Sequence, residues 1–345
     1  MPFREGFDSE NNGLIQEVLM NKIRFGIIGT GGIASKFAQA LSMSENAVPA
    51  AVSSRNEENG KRFAGQNGIG RVYVGAGEMV QAPDLDVIYV ATPHPFHFEN
   101  CMLALKAGKH VLCEKPMVTK KADAEALFAE AKKNHVLLME GMWSRFLPNV
   151  EKAKEWIDSG RIGKVTFIDG IFSFAVDEKN PKPRLVDPKL GGGSLWDLGV
   201  YTVEMASYFA GANPLGWEGL VTDYCYGTDG AAVMALSYPG DILATLRTGI
   251  VCDAPAEMTI LGTKGRIELP RFYLGNEARL YEGNELKETL RNSFELPEGF
   301  LWEIEAVVRY VREGITESPV VKPEDTMATT GILESMMHRF YPELY

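Results

Sequence analysis

From Lys22 onward, short apolar and β-branched runs alternate with segments whose apolar residues recur at helical spacing: IRFGII, AVPAAVSS, RVYV, DVIYVAT, KHVLCEK and HVLLME. That rhythm predicts βαβ units and a parallel sheet. DVIYVA is apolar without alternation, as a strand covered by helices on both faces requires. After Pro148 the pattern changes. It predicts a helix over 149–159, a strand VTFIDGIFSF, a Pro- and Lys-rich loop to Leu190, and a helix opened by Gly191, Gly192 and Gly193. From 217 to 282, strand segments broken by TDG, YPGD and GTKG predict an antiparallel sheet, and helices over 300–314 and 323–340 close the chain.

The expected organisation is an α/β domain over 22–148 and an α+β domain over 149–345, the last helix able to pack back on the first domain. Residues 1–21 read as a leader or short extension, because Met20 directly precedes the first strand-like run. Composition narrows the function. A net charge of -11, with Lys and Arg scattered, excludes a nucleic-acid partner. Cys101, Cys113, Cys225 and Cys252 have neither CxxC nor Cys/His spacing, so neither a metal site nor a disulfide framework is expected. The polar N-terminus and the lack of a long apolar run point to a cytoplasmic protein without a membrane partner.

Directly after IRFGII stands Gly29-Thr30-Gly31-Gly32-Ile33-Ala34, a GxGxxA turn opening a helix. Gly29 permits the tight turn, Gly31 lets the backbone approach a pyrophosphate, and Ala34 allows the helix to lie close on the strand. This is the fingerprint of a Rossmann dinucleotide site. The second strand ends in Ser53-Ser54-Arg55, where NAD-specific proteins carry an acid for the ribose hydroxyls. A hydroxyl and a guanidinium suit a ribose phosphate, so Ser54 and Arg55 favour NADP over NAD; Arg55 capping a solvated helix is the plainer alternative.

Ligands bind at the carboxyl ends of such strands. Thr92, Pro93 and His97 follow the fourth strand, and Glu114 and Lys115 end the fifth, so all are expected to border the nicotinamide. Lys115 in a partly dry cleft can help move a substrate proton. His97 is equally readable as an ordinary helix-start residue, His94 is the weaker candidate, and His110 and His135 read as structural. In GGGSLWDLGVY, Asp197 and Tyr201 lie four apart, on one face of a helix. A tyrosine near a lysine ammonium ionises more easily, which makes Tyr201 a candidate acid/base.

The GxGxxA turn, Glu114-Lys115-Pro116 and GGGxxxDxGxY, in that order and spacing, resemble the glucose-fructose oxidoreductase, inositol dehydrogenase and MocA (Gfo/Idh/MocA) family from Lys22 to near the end. Met139-Glu140-Gly141-Met142-Trp143-Ser144-Arg145-Phe146, with Tyr at 201 where many members have His, resembles the branch of the dimeric dihydrodiol dehydrogenases. The resemblance implies that Lys115 and Tyr201 form the catalytic pair, that Asp197 orients the substrate or the tyrosine, and that Trp143 and Arg145 line the pocket. A core aromatic and an interdomain salt bridge are the alternatives for those last two. Gly141 replaces an Ala of close relatives, a change expected to widen the pocket. The resemblance also implies a large open sheet that makes a homodimer or homotetramer. The expected function is NAD(P)-dependent hydride transfer to or from a sugar, polyol or cyclic diol, with Tyr201 made more acidic by Lys115; a non-catalytic nucleotide sensor is the rival.

Overall fold

The computed structural model describes residues 22–224 and 227–344; the leader expected over 1–21, and Cys225, lie outside them. Six strands form a sheet in the order β3-β2-β1-β4-β5-β6. They are β1 (Ile23–Ile28), β2 (Ala47–Ser54), β3 (Val72–Val74), β4 (Val87–Val90), β5 (His110–Glu114) and β6 (Leu138–Gly141), and every pairing is parallel. The connecting helices are α1 (Gly32–Met43), α2 (Glu57–Asn67), α3 (Ala76–Val80), α4 (His97–Lys106) and α5 (Lys121–Asn134). All four residues of β4 are buried, which is why its sequence shows no alternation. Strand order reverses between β1 and β4, and this opens a crevice at their carboxyl ends.

The second sheet has the order β14-β13-β12-β11-β7-β10-β9-β8. Its strands are β7 (Val165–Ser173), β8 (Gly216–Asp223), β9 (Asp229–Tyr238), β10 (Ile242–Gly249), β11 (Glu257–Gly262), β12 (Gly265–Leu269), β13 (Glu277–Glu282) and β14 (Glu285–Arg291). Only the β7–β10 pairing is parallel. The sheet runs one strand past the predicted limit at 282, because the alternation in ELKETLR continues it. Along β9 and β10, buried Ala232, Met234, Leu236, Ile242, Ala244 and Leu246 alternate with outward Val233, Ala235, Leu243 and Thr245.

Five helices accompany the second sheet: α6 (Pro148–Asp158), the short α7 (Pro183–Val186) inside the Pro- and Lys-rich loop, α8 (Val200–Ala210), and the closing pair α9 (Leu301–Glu313) and α10 (Pro323–Phe340). Helix α8 crosses the inner face of β7 and β10; α9 packs on α1, and α10 bridges α5 and α8. Among the described residues no helix is long and apolar enough to cross a membrane, and no cluster of His, Cys, Asp or Glu is arranged to hold a metal ion. His110 Nδ1 accepts the Leu137 N–H at 2.9 Å, and His135 ends α5 in a left-handed conformation, so both serve the fold.

Candidate active site

The glycine turn is built by backbone demands. Gly29 has φ +116°, and a Cβ there would fall 2.6 Å from the Ala91 carbonyl oxygen, so only glycine lets β1 turn this close to β4. Helix α1 then starts at Gly32 with no side-chain cap and no acidic residue in its first turn. Gly31, Gly32 and Ile33 are exposed, and a Cβ on either glycine would meet only open space. The helix N-terminus therefore offers free N–H groups to an anion, a preference worth about 0.3–1 kcal/mol. A pyrophosphate fits this cradle.

Ser54 is buried, and its hydroxyl accepts the Asn56 N–H at 3.3 Å. Arg55 is exposed and lies 5.6 Å from the centre of the Phe96 ring, spanning from the end of β2 toward the loop after β4. In that loop the Thr92 hydroxyl is buried with no partner, and Pro93 is exposed. These free groups leave a ligand room to bond at the crevice.

His97 does not face the crevice, contrary to its expected contact with the nucleotide. It is fully buried, with Nε2 2.7 Å from the Thr92 carbonyl oxygen and Nδ1 2.9 Å from that of Pro116. Each nitrogen faces a backbone carbonyl, and the neutral ring, with one N–H, donates to one of the two, so the ring is packed between the two strand-end loops. Glu114 turns its carboxyl inward, where the Tyr89 hydroxyl donates to it, and burial pushes that carboxyl above its usual range.

Lys115 crosses from the first sheet to the segment before α8. Its Nζ donates to the Asp197 carbonyl oxygen at 2.6 Å and to Asp197 Oδ1 at 3.1 Å, and sits 4.6 Å from the centre of the Tyr201 ring. Asp197 belongs to a π-type turn over Leu195–Gly199 rather than to the regular helix the glycine run predicted. Such turns recur at functional sites. This one leaves both Asp197 and Tyr201 on Lys115.

Arg184 Nη1 reaches the same Asp197 Oδ1 at 3.1 Å. Burial would raise the Asp197 carboxyl, but Lys115 and then Arg184 hold it down to about 2, so it is ionised. Tyr201 differs from expectation: burial pushes its phenol well above the usual range, and the charge of Glu114 adds to this. Trp143 Nε1–H donates to the Tyr201 oxygen at 3.0 Å and pulls the other way. Tyr201 therefore holds its proton at neutral pH.

Arg145 is not in the pocket. Its side chain is 0% exposed, with Nη2 2.6 Å from Glu204 Oε2 and Nη1 2.7 Å from Asp325 Oδ2. It joins the turn after β6 to α8 and α10. Gly141 does not widen a pocket either, since its Cβ would meet the Cys113 carbonyl oxygen at 3.2 Å in the neighbouring strand.

Arg184, Phe172 and Tyr273, which no motif points to, also reach this region, as does His94, the weaker histidine candidate. His94 lies against Gly191, its Nδ1 buried without a partner, and burial lowers it to about 3, so it is neutral. The ring centres of Phe172 and Tyr273 lie 5.5 Å and 6.2 Å from that of Tyr201. No local pattern marks these residues; only the meeting of distant segments does.

Two family models match the chain: the oxidoreductase family with an NAD-binding Rossmann fold (GFO_IDH_MocA) over residues 23–142, and the GFO/IDH/MocA C-terminal domain over 150–268. The chain is 33% identical over 328 residues to a trans-1,2-dihydrobenzene-1,2-diol dehydrogenase of Xenopus laevis, covering 92% of this chain and 97% of that one. A 3-ketoreductase from Actinomadura kijaniata, solved with NADP and TDP-benzene, superposes with a TM-score of 0.80 at 25% identity, covering 91% of this chain and 97% of that one. A levoglucosan dehydrogenase solved with NADH and levoglucosan shares the fold at 18% identity, with a TM-score of 0.84 and coverage of 94% and 98%. The chain thus belongs to the Gfo/Idh/MocA oxidoreductases and is an NAD(P)-dependent enzyme acting on CH–OH groups and their carbonyl counterparts.

Proposed function

We propose that Lys115 and Tyr201 move the proton in hydride transfer at a hydroxyl or carbonyl carbon of a sugar, polyol or cyclic diol, with Asp197 as their positioning residue. The observation that carries this is the convergence of Lys115, from the first sheet, on Asp197 and the face of Tyr201 in the second unit. The nicotinamide, when bound, supplies or accepts the hydride. Tyr201, kept protonated by burial and steadied by Trp143, donates its proton to the substrate oxygen when a carbonyl is reduced and takes it back when an alcohol is oxidised. Asp197 holds the Lys115 ammonium against the phenol, so the cation offsets negative charge as it forms. Trp143 acts through Tyr201, and neutral His94, its Nδ1 buried without a partner against Gly191, adds no charge beside Lys115 and Asp197.

The nucleotide is held by Gly29, Thr30, Gly31, Gly32 and Ile33 at the start of α1, with Thr92, Pro93 and the backbone of Glu114 along the crevice. Two solved structures of this fold carry different nucleotides, NADP in one and NADH in the other, so fold does not select the cofactor. The residues do: Ser54 and exposed Arg55 favour NADP. Arg55→Ala is expected to weaken NADPH about tenfold while leaving NADH unchanged, read by nucleotide fluorescence titration; equal losses would reject the preference.

The unit boundary falls at Pro148, and the protein works in the cytoplasm as a homodimer or homotetramer joined through the outer face of the second sheet. That face presents Leu220, Val233, Leu243 and Phe167, 74%, 53%, 49% and 50% exposed, on neighbouring strands. Val233→Glu with Leu243→Glu is expected to turn the oligomer into a monomer in light scattering, and a monomeric parent protein would remove the proposal. The reaction itself is tested by a screen of sugars, inositols and dihydrodiols with NAD and NADP in parallel. Tight nucleotide binding without turnover across that panel would overturn it.

A further inference from the structure

We infer that the substrate carries a carboxylate remote from its reacting carbon, bound by Arg271 in an aromatic-walled cavity beside Tyr201. The inference rests on the oxidoreductase reading of that site. The cavity, of about 460 Å³, is walled by Phe172, Phe174, Pro255 and Tyr273, with Asp253 and Arg271 as its charged residues. Phe172 and Tyr273 stack on each other with ring centres 4.2 Å apart, and each makes an edge-to-face contact with the Tyr201 ring. This volume holds a single small ring compound, and its apolar walls suit the flat face of one.

The charge balance singles out Arg271. Lys115 and Arg184 are both ion-paired, sharing the single carboxylate of Asp197. Arg271 is exposed and has no ion-pair partner among the described residues. Across the cavity Asp253 is already engaged, its Oδ1 accepting the Ala175 N–H at 3.0 Å. A single guanidinium matches a carboxylate in geometry and charge, whereas a phosphate dianion would leave excess charge facing Asp253.

The backbone fixes where this cation sits. Arg271 has φ +50°, a left-handed conformation that disfavours most side chains. Its surroundings impose it: Phe272 N–H bonds the Ala256 carbonyl at 2.9 Å, Leu274 N–H bonds the Arg271 carbonyl at 2.9 Å, and the Ser144 hydroxyl bonds the Tyr273 carbonyl at 2.9 Å. The last bond ties the turn to the segment that carries Trp143, so Arg271 and the Trp143–Tyr201 pair are held in one frame. Asparagine would suit this conformation better than arginine. The side chain at 271, rather than its backbone preference, is what the position uses.

The test uses phenylacetate and its neutral isostere phenylacetamide, which lack the reacting group and so bind without turnover. Calorimetry on the nucleotide-saturated protein is expected to show phenylacetate bound at least about tenfold more tightly than the amide. Arg271→Asn, which keeps the left-handed turn, should equalise the two, and Arg271→Lys should retain part of the difference. Equal affinities in the parent protein, no binding of either ligand, or a preference that survives in Arg271→Asn would each overturn the inference. A protein that shows the preference yet turns over nothing in the substrate screen would instead count against the reaction.

Discussion

Lys115→Ala is expected to lower turnover by about two orders of magnitude or more while NADP(H) binding stays measurable. The lysine reaches two partners at once, the Asp197 carboxylate and the face of Tyr201, so its loss removes the cation held over the proposed acid/base. Asp197 would keep only Arg184, whose side chain is half exposed and so screened by solvent. The glycine turn is a separate structure at the start of α1 and is untouched, which is why nucleotide titration should report little change. Tyr201→Phe should give a loss of similar size, because burial leaves the phenol as the protonated group at this place. The double variant should be far less impaired than the product of the two losses, since residues acting as a unit do not add. Unchanged turnover in Lys115→Ala would end the assignment.

Arg145→Ala is expected to destabilise the protein by about 3–5 kcal/mol, the usual penalty for breaking a buried ion pair from one side. Glu204 is completely buried, and without Arg145 its carboxylate would face no cation inside the core. Burial already raises the Glu204 carboxyl, and the arginine is what opposes this. The same guanidinium bonds the Val320 carbonyl at 3.0 Å and Asp325 at 2.7 Å, so α8 and α10 would both lose their tie to the turn after β6. Denaturant midpoints at constant m-value measure the loss. The protein that remains folded should keep its KM for substrate. A raised KM with unaltered stability would restore the pocket role that the sequence suggested.

Much of this molecule is legible in the sequence because the signals are local. The six runs that alternate with helical segments give the parallel sheet, and the closing helices fall within a residue of their expected limits, Leu301–Glu313 and Pro323–Phe340. Gly29 is equally readable, because one positive φ at a strand end admits one residue type. Lys115 and Asp197 lie 82 positions apart, and the chain alone gives their order but not their contact.

What the chain could not state is which polar side chains look inward. His97 sits where a nucleotide contact was expected, yet its ring is buried between the carbonyls of Thr92 and Pro116. Trp143 was placed on the substrate, and its indole N–H bonds Tyr201 58 residues on. Arg145 pairs with Asp325, 180 residues away. The acidity of Tyr201 came out opposite to the expectation because burial raises it and the charge of Glu114 adds to the rise, and neither surrounding is written in the chain around Tyr201.

By itself, then, the sequence determined the elements, their order and the nucleotide turn, all of which depend on periodicity or on one residue's backbone freedom. The tertiary structure alone decided which charges are paired, which are buried and which stay free for a ligand. Those properties depend on solvent exclusion and on contacts between segments far apart in the chain, and no local pattern encodes them.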